Sequence, residues 1–211
     1  MRKEIVILAL SHRNLGICLA GKTPDTKMWI RPVTAEGQIP EELVVNLKIG
    51  DVIDLDLGNF VPKCHQSENY LYNPNPWVKK HSLSKRELAL FVDNPADLWE
   101  VRDVGGNNRE GTTSIHADTV AAEKMDKSLY FLSLPEMSLD TEHDGKKQKY
   151  YGIFDYYGRS YRLPITDRDF GDVCAKSSGL TELQNPLICV SLSEVFNKTG
   201  ACYKLIAGVI V

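Results

Sequence analysis

The segment KEIVILALS, residues 3–11, sets the strongest constraint on how this chain folds. Ile5, Val6, Ile7 and Leu8 follow one another without a polar break. Side chains alternate across a strand, so four in succession leave neither face for water. The segment therefore predicts a strand in the middle of a closed sheet. Its uninterrupted apolar stretch, Ile5 to Leu10, is shorter than a signal-peptide core and lacks a small-residue cleavage site, so it reads as a first strand and not an export signal. No other stretch approaches the roughly 18 apolar residues that cross a bilayer, and no membrane association is expected.

Strand patterns recur through the first sixty residues: KEIVILALS, GICLAGK, KMWIRPV and DVIDLDL. Short turn signals, HRNLG and TPDT, separate the first three, and PEELVVNLKIG suits a short helix ending at Gly50. NFVPKCHQ is the expected fifth strand, at an edge because of Pro62. Residues 67–128 lack a strand period. SLSKRELALFVD predicts a helix begun by Ser84, with Glu87 three positions on as its capping partner. From residue 129 the pattern returns as LYFLSL, KYYGIF and RSYRLPIT, a helix opened by Asp167, then LICVSL and YKLIAGVIV. Three strands, a helix and two strands is the order of the OB-fold, a small five-stranded barrel. The helix falls at the same place in each half, which favours two such barrels over one large sandwich. The expected fold is mainly β with a few short helices: barrels over 1–66 and 129–211, and a partly helical connector over 67–128.

KEIVILALS, GICLAGK, MWIRPV, HQSENY, YRLPITD and the closing VSLSEVF…CYKLIAGVI resemble the bacterial dual OB-containing domain family over nearly the whole chain, WIRPV being the most specific piece. The resemblance implies the two-barrel architecture and a nucleic-acid-associated role in the setting of genome defence or repair. It supplies no catalytic motif.

The chain carries a formal charge of −3 and a pI near 6.0, which excludes binding of nucleic acid through bulk positive charge. Any polyanion site must be local. Two places offer one. In KMWIRPV, Met28 and Ile30 point to one face and Trp29, Arg31 and Val33 to the other, so Trp29 and Arg31 present an aromatic and a cation where OB barrels bind ligands, with Arg13 in the adjoining first loop. The competing reading packs Trp29 on the connector with Arg31 bridged to an acid. The second place is KKQKYYGIFDYYGRSYR, residues 146–162, which gathers five of the nine tyrosines with Lys147, Lys149, Arg159 and Arg162. A turn at Tyr157-Gly158 sets Phe154 opposite Tyr161 on a core face, and leaves Tyr151 between Lys149 and Arg162 on the other. That arrangement suits a single-stranded nucleic acid; a protein partner and a plain surface hairpin are the alternatives.

Catalytic chemistry finds little footing. Cys64 and His65 are neighbours on a strand and face apart, where a nucleophile and its base must meet. Asp54 and Asp56 share a face without a partner acid and lysine at nuclease spacing. The histidines are dispersed, so no metal is expected, and GGNNREG lacks the lysine of a phosphate loop, so no cofactor is expected. Five scattered cysteines (18, 64, 174, 189 and 202) without paired spacing suggest a reduced, cytoplasmic setting. The sequence thus points to a non-catalytic binding module for single-stranded or distorted nucleic acid; a protein-interaction subunit or inhibitor is the alternative.

Overall fold

The structure is a computed structural model that describes residues 1–13, 16–35, 39–99, 112–143, 145, 148–176 and 180–211, with the side chain of residue 13 also outside the description. Its first sheet contains β1 (Arg2–Arg13), β2 (Gly16–Lys22), β3 (Trp29–Val33), β4 (Asp51–Phe60), β5 (Asn69–Tyr72) and β6 (Val78–Ser82). They pair in the order β1-β2-β3-β5-β4, and β4 returns to β1, so five strands close into a barrel with β6 added alongside β4. The β3–β5 pair is parallel and the others antiparallel. Helix α1 (Lys85–Leu88) follows, and Ser84 and Glu87 form the expected capping box at its start.

The second sheet holds β7 (Ser114–His116), β8 (Leu129–Ser133), β9 (Glu136–His143), β10 (Gln148–Tyr156), β11 (Arg159–Ile165), β12 (Glu182–Gln184), β13 (Leu187–Phe196) and β14 (Ala201–Ile210). Helix α2 (Ala117–Ala122) follows β7, and α3 (Phe170–Lys176) follows β11. The path β9-β10-β11-β14-β13-β8 repeats the first barrel's order, because β8 and β9 are one strand interrupted at Leu134-Pro135. β8 pairs with β13 and β9 with β10, so this bent strand serves both ends of the path. As in the first barrel, the third and fifth strands, β11 and β14, meet in parallel.

Two expected boundaries shift. NFVPKCHQ is not the fifth strand: Asn59 and Phe60 complete β4, and the barrel is closed by β5, ten residues further on. The span 67–128 therefore gives β5 and β6 to the first sheet and β7 to the second, and the connector proper is shorter. These strands escape sequence reading because β5 is four residues long and β6, VKKHS, is exposed throughout.

The apolar run of β1 has a more exact cause than a closed sheet. Ile5, Ile7 and Leu10 enter the first barrel's core with Ile17, Leu19 and Ile53. A register shift between Ile7 and Ala9 turns Leu8 and Ala9 to the same outer side as Val6. There they meet Leu129 and Phe131 of β8, Leu187 and Cys189 of β13, and Ala207 of β14 in a third apolar cluster. The barrels pack side against side, and β1 is buried on both faces by two different cores. Each apolar side chain fully withdrawn in this seam contributes about 1.5–3 kcal/mol.

Polar links fix how the barrels sit. Arg168, between β11 and α3, donates its amide to Leu10 O at 2.8 Å and its guanidinium to Val44 O and Leu47 O at 2.8 and 2.6 Å. His12 N donates to Thr166 O at 3.0 Å. Gly208 permits the closest approach, since a Cβ there would lie 2.4 Å from Leu8 O. Gly208→Ala is expected to lower stability by about 1–3 kcal/mol through overpacking at a backbone contact. Urea unfolding of both proteins measures this, and an unchanged midpoint would show that the barrels separate without cost.

Candidate nucleic-acid interface

The seam is lined by side chains that leave β3 on its outer side, and it gathers charges rarely kept out of water. Lys22 is 2% exposed and donates to Phe91 O at 2.7 Å and to Asp93 Oδ1 at 2.5 Å. Burial pushes its ammonium below the usual lysine range, against the pull of Asp93. The other Asp93 oxygen accepts from Trp29 Nε1 at 3.3 Å and from Phe131 N at 2.8 Å, so one carboxylate ties β2, β3 and β8 together. Deeper in, Arg31 is 8% exposed, and its Nη2 reaches Glu68 Oε1 and Ser128 Oγ, each at 2.9 Å. Ser128 Oγ also donates to Glu68.

This corrects the expectation for β3. Trp29 and Arg31 do leave the first barrel on its outer side, but that side faces the second barrel. Arg31 is an internal ion-pair member and offers no phosphate contact at an open surface. Trp29 is half-buried, with Lys22 4.9 Å from its ring centre.

Trp29 nevertheless borders open space. Beside it the seam widens into a groove of about 450 Å³ lined by Trp29, Phe60, Tyr70, Tyr130, Lys27 and Lys127 among others. Phe60 ends β4, is 53% exposed, and lies 5.0 Å from the Tyr70 ring, centre to centre, where the two strands pair. Tyr130 rests on Trp99 at 4.6 Å, and burial raises its hydroxyl to about 12. Lys27 takes a left-handed backbone with φ 58°, which sets its ammonium 3.5 Å from the Phe91 ring centre and within 2.8 Å of Pro24 O. The two acids in the lining, Glu68 and Asp93, are committed to Arg31 and to Lys22, which leaves the local balance to the lysines. A groove of rings flanked by cations can stack bases and hold phosphates. Phe60, Tyr70 and Tyr130 come from three strands spread over seventy residues, and no spacing in the sequence joins them. The one local signal is a large aromatic at the solvent end of β4.

The hairpin of β10 and β11 forms in the expected register, Phe154 opposite Tyr161 and Ile153 opposite Arg162, with Tyr157 and Gly158 in the turn at φ 45° and 76°. Its core face is as expected, with Gly152, Phe154, Tyr161 and Leu163 buried. The outer face differs in charge. β9 runs alongside β10, so Arg162 pairs with Asp140 at 2.8 Å and Glu142 at 2.5 Å while lying 3.7 Å over the Tyr151 ring. Hydrogen bonds from Arg162 hold the Asp140 carboxyl below the usual range. Tyr151 OH donates to Glu142 at 3.1 Å, and Lys149 sits opposite the same Glu142. The acids of EMSLDTEH thus answer the basic hairpin. Arg159 is exposed beside the turn, Lys147 lies outside the described residues, and so does the Arg13 side chain.

The carboxylate candidates are engaged in ion pairs. Asp54 lies 3.6 Å from both Arg2 and Lys80, and Asp56 holds the N-terminal amine at 2.8 Å. Among the described residues no group of three or more His, Cys, Asp or Glu side chains is placed to hold a metal ion. Cys64 is exposed and His65 buried, but they lie in the turn between β4 and β5, Cys64 at φ 52°, and not on the strand that the sequence pattern suggested.

Five-stranded barrels closed in this strand order define the OB class, and here two are fused along their sides. The chain belongs to the family of dual OB-containing domains, whose model matches residues 3–209. No curated protein matches it. Among solved structures, the crystal structure of the tetrameric p202 HIN2 is similar at a TM-score of 0.32 and 9% identity, over 100% of this chain and 92% of that one. A likeness that slight carries no functional argument.

Two outcomes follow from the buried charges. Glu68→Ala strands the Arg31 guanidinium in the seam and is expected to cost about 3–5 kcal/mol, whereas replacing Arg31 and Glu68 together by Met and Leu costs much less. Denaturant midpoints of the single and double variants decide it; equal losses would deny the ion pair its role. The second concerns His65, 1% exposed, whose Nε2 meets Ser193 O at 2.9 Å while Nδ1 is buried without a partner. Burial holds its pKa below the ordinary 6.5. The unfolded chain therefore takes up this proton first, so the stability tied to a neutral His65 is complete above about pH 6.5 and lost as pH falls through the lower folded value. His65→Gln should flatten the acid side of the stability curve between about pH 7.5 and 5, and a slope equal to that of the unmodified chain would contradict the assignment.

Proposed function

We propose that the chain is a nucleic-acid-binding module that holds single-stranded or locally distorted nucleic acid in the groove beside Trp29, and acts next to an enzyme that supplies the chemistry. The observation that supports it is the exposed Phe60 ring against half-buried Tyr70, in one groove with Trp29, Tyr130, Lys27 and Lys127. Membership of the dual OB-containing family agrees with this reading. Five free cysteines suit a reducing compartment, and no helix among the described residues is long and apolar enough to cross a membrane.

Magnitudes shape the test. Two lysines at the groove limit the electrostatic term: with about 0.7 of log K per log salt for each phosphate on a single strand, the slope should lie near −1.4, shallow for a nucleic-acid binder. Stacking carries more, about 1–3 kcal/mol per base. Phe60→Ala is therefore expected to weaken binding of a single-stranded oligonucleotide roughly 5- to 150-fold. Lys127→Glu should weaken it and flatten the salt dependence. Arg162→Glu, on the compensated hairpin, should change little. Fluorescence anisotropy at several salt concentrations reads all three, and binding should also quench Trp29. If Phe60→Ala binds like the unmodified chain while Arg162→Glu does not, the hairpin is the binding surface and the groove is not.

A further inference from the structure

Lys27, Trp29, Lys127 and Tyr130 reach the groove from different elements, yet one short segment of the connector, residues 91–99, touches all four. Val92 to Trp99 forms neither helix nor strand, so no ladder of backbone bonds holds it and its side chains carry the contacts. At its start Phe91, 4% exposed, lies 3.5 Å from the Lys27 ammonium, ring centre to nitrogen. Asp93 accepts from Trp29 Nε1 at 3.3 Å and from Phe131 N at 2.8 Å, while its own N donates to Phe131 O at 2.6 Å. The indole of the groove is thereby fixed to the first strand of the second barrel.

Trp99, at the other end, serves the opposite wall. It is 5% exposed, its ring lies 4.6 Å from that of Tyr130, and its Nε1 donates to Lys127 O at 2.7 Å. Its backbone is left-handed at φ 62°, an uncommon state for so bulky a residue, and Asp97 Oδ1 accepts from its N at 3.0 Å. Residues held in such states cluster at ligand clamps. The middle of the segment is held from outside the groove: Tyr156 OH donates to Pro95 O at 2.8 Å and Tyr157 OH to Asn94 Oδ1 at 3.1 Å, both from the tip of the β10–β11 hairpin. We infer that the connector segment 91–99 sets the spacing of the groove, with Asp93 positioning Trp29, Trp99 positioning Tyr130 and Lys127, and the hairpin tip anchoring the segment, so that a strand meets rings and cations already in place. This rests on the groove as the strand's site. It adds that binding depends on Trp99 and Tyr156, which stand outside the groove's lining.

The test uses the full chain with two variants. Trp99→Phe keeps a ring beside Tyr130 and removes the N–H that holds Lys127 O; Tyr156→Phe removes only the hydroxyl that reaches Pro95. Anisotropy with an oligothymidylate at several salt concentrations reads binding, and amide hydrogen exchange of the free protein reads the positioning itself. Trp99→Phe is expected to lose one phosphate contact, so its salt slope falls to about −0.7 and its affinity about four-fold at 0.15 M salt. A variant that is merely less stable keeps the slope of the unmodified chain. Exchange across residues 125–131 should rise about ten-fold more than across β13, since the opening is local. Tyr156→Phe is expected to weaken binding about two-fold or more and to raise exchange across residues 93–99. Where Phe60→Ala loses binding, an unchanged slope in Trp99→Phe overturns the inference and leaves the groove standing. Where Phe60→Ala binds as before, the groove reading has failed, and exchange across 125–131 alone decides whether Trp99 positions that wall: no local rise overturns it. Unaltered binding and exchange in Tyr156→Phe overturn the hairpin's part, and should Trp99→Phe unfold, Tyr156→Phe decides the whole.

Discussion

Everything else in the structure depends on the two-sided burial of β1. Its inner residues, Ile5, Ile7 and Leu10, fill one barrel, and its outer residues, Val6, Leu8 and Ala9, meet the second. The single register shift between Ile7 and Ala9 makes this workable, since it lets Leu8 and Ala9 both turn outward and returns Leu10 to the interior. Without it, one of these apolar residues would sit on the wrong side, and the strand would serve one core or the other. A small barrel ordinarily keeps an outer wall for water or ligand; here that wall is used to join two barrels.

Joining them changes what the polar residues near β3 are for. Lys22, Arg31 and Glu68 would be ordinary surface charges on an isolated first barrel. In the seam they become a network with Asp93 and Ser128 in which each charge has an opposite partner at 2.5 or 2.9 Å. Desolvation makes such a network costly to break and of modest net worth when whole, so its contribution is to fix the register of the barrels more than to add stability. The apolar cluster supplies attraction, and the ion pairs with the Arg168 hydrogen bonds supply direction.

The same junction creates two openings. Neither belongs to one barrel: the groove takes Phe60 and Tyr70 from the first and Tyr130 from the second, and a cleft of about 260 Å³ beyond Arg31 takes Arg31 and Gln66 from the first and Ser191 and Tyr203 from the second. The Arg31 cluster stands between them. A shift of one barrel against the other would reshape both openings at once, so the rigidity of the seam and the shape of the openings are one property.

The first four strands of the first barrel, the helix at Ser84, the turn at Tyr157-Gly158 and the buried face of Phe154 and Tyr161 were legible in the sequence, because each rests on local alternation, capping or turn chemistry within a dozen residues. So was the abnormal burial of β1, though not its cause. The second partner of any strand face is not written locally: that Trp29 and Arg31 meet Asp93 and Glu68, or that Asp140 and Glu142 answer Arg162, depends on segments 20 to 64 positions away. Charge counted along the chain therefore suggested a basic hairpin and an open Trp–Arg platform, and charge counted in space neutralised the first and closed the second. Tertiary structure alone decided where rings and cations remain accessible, since exposure is a property of how two barrels pack and not of any one strand's pattern.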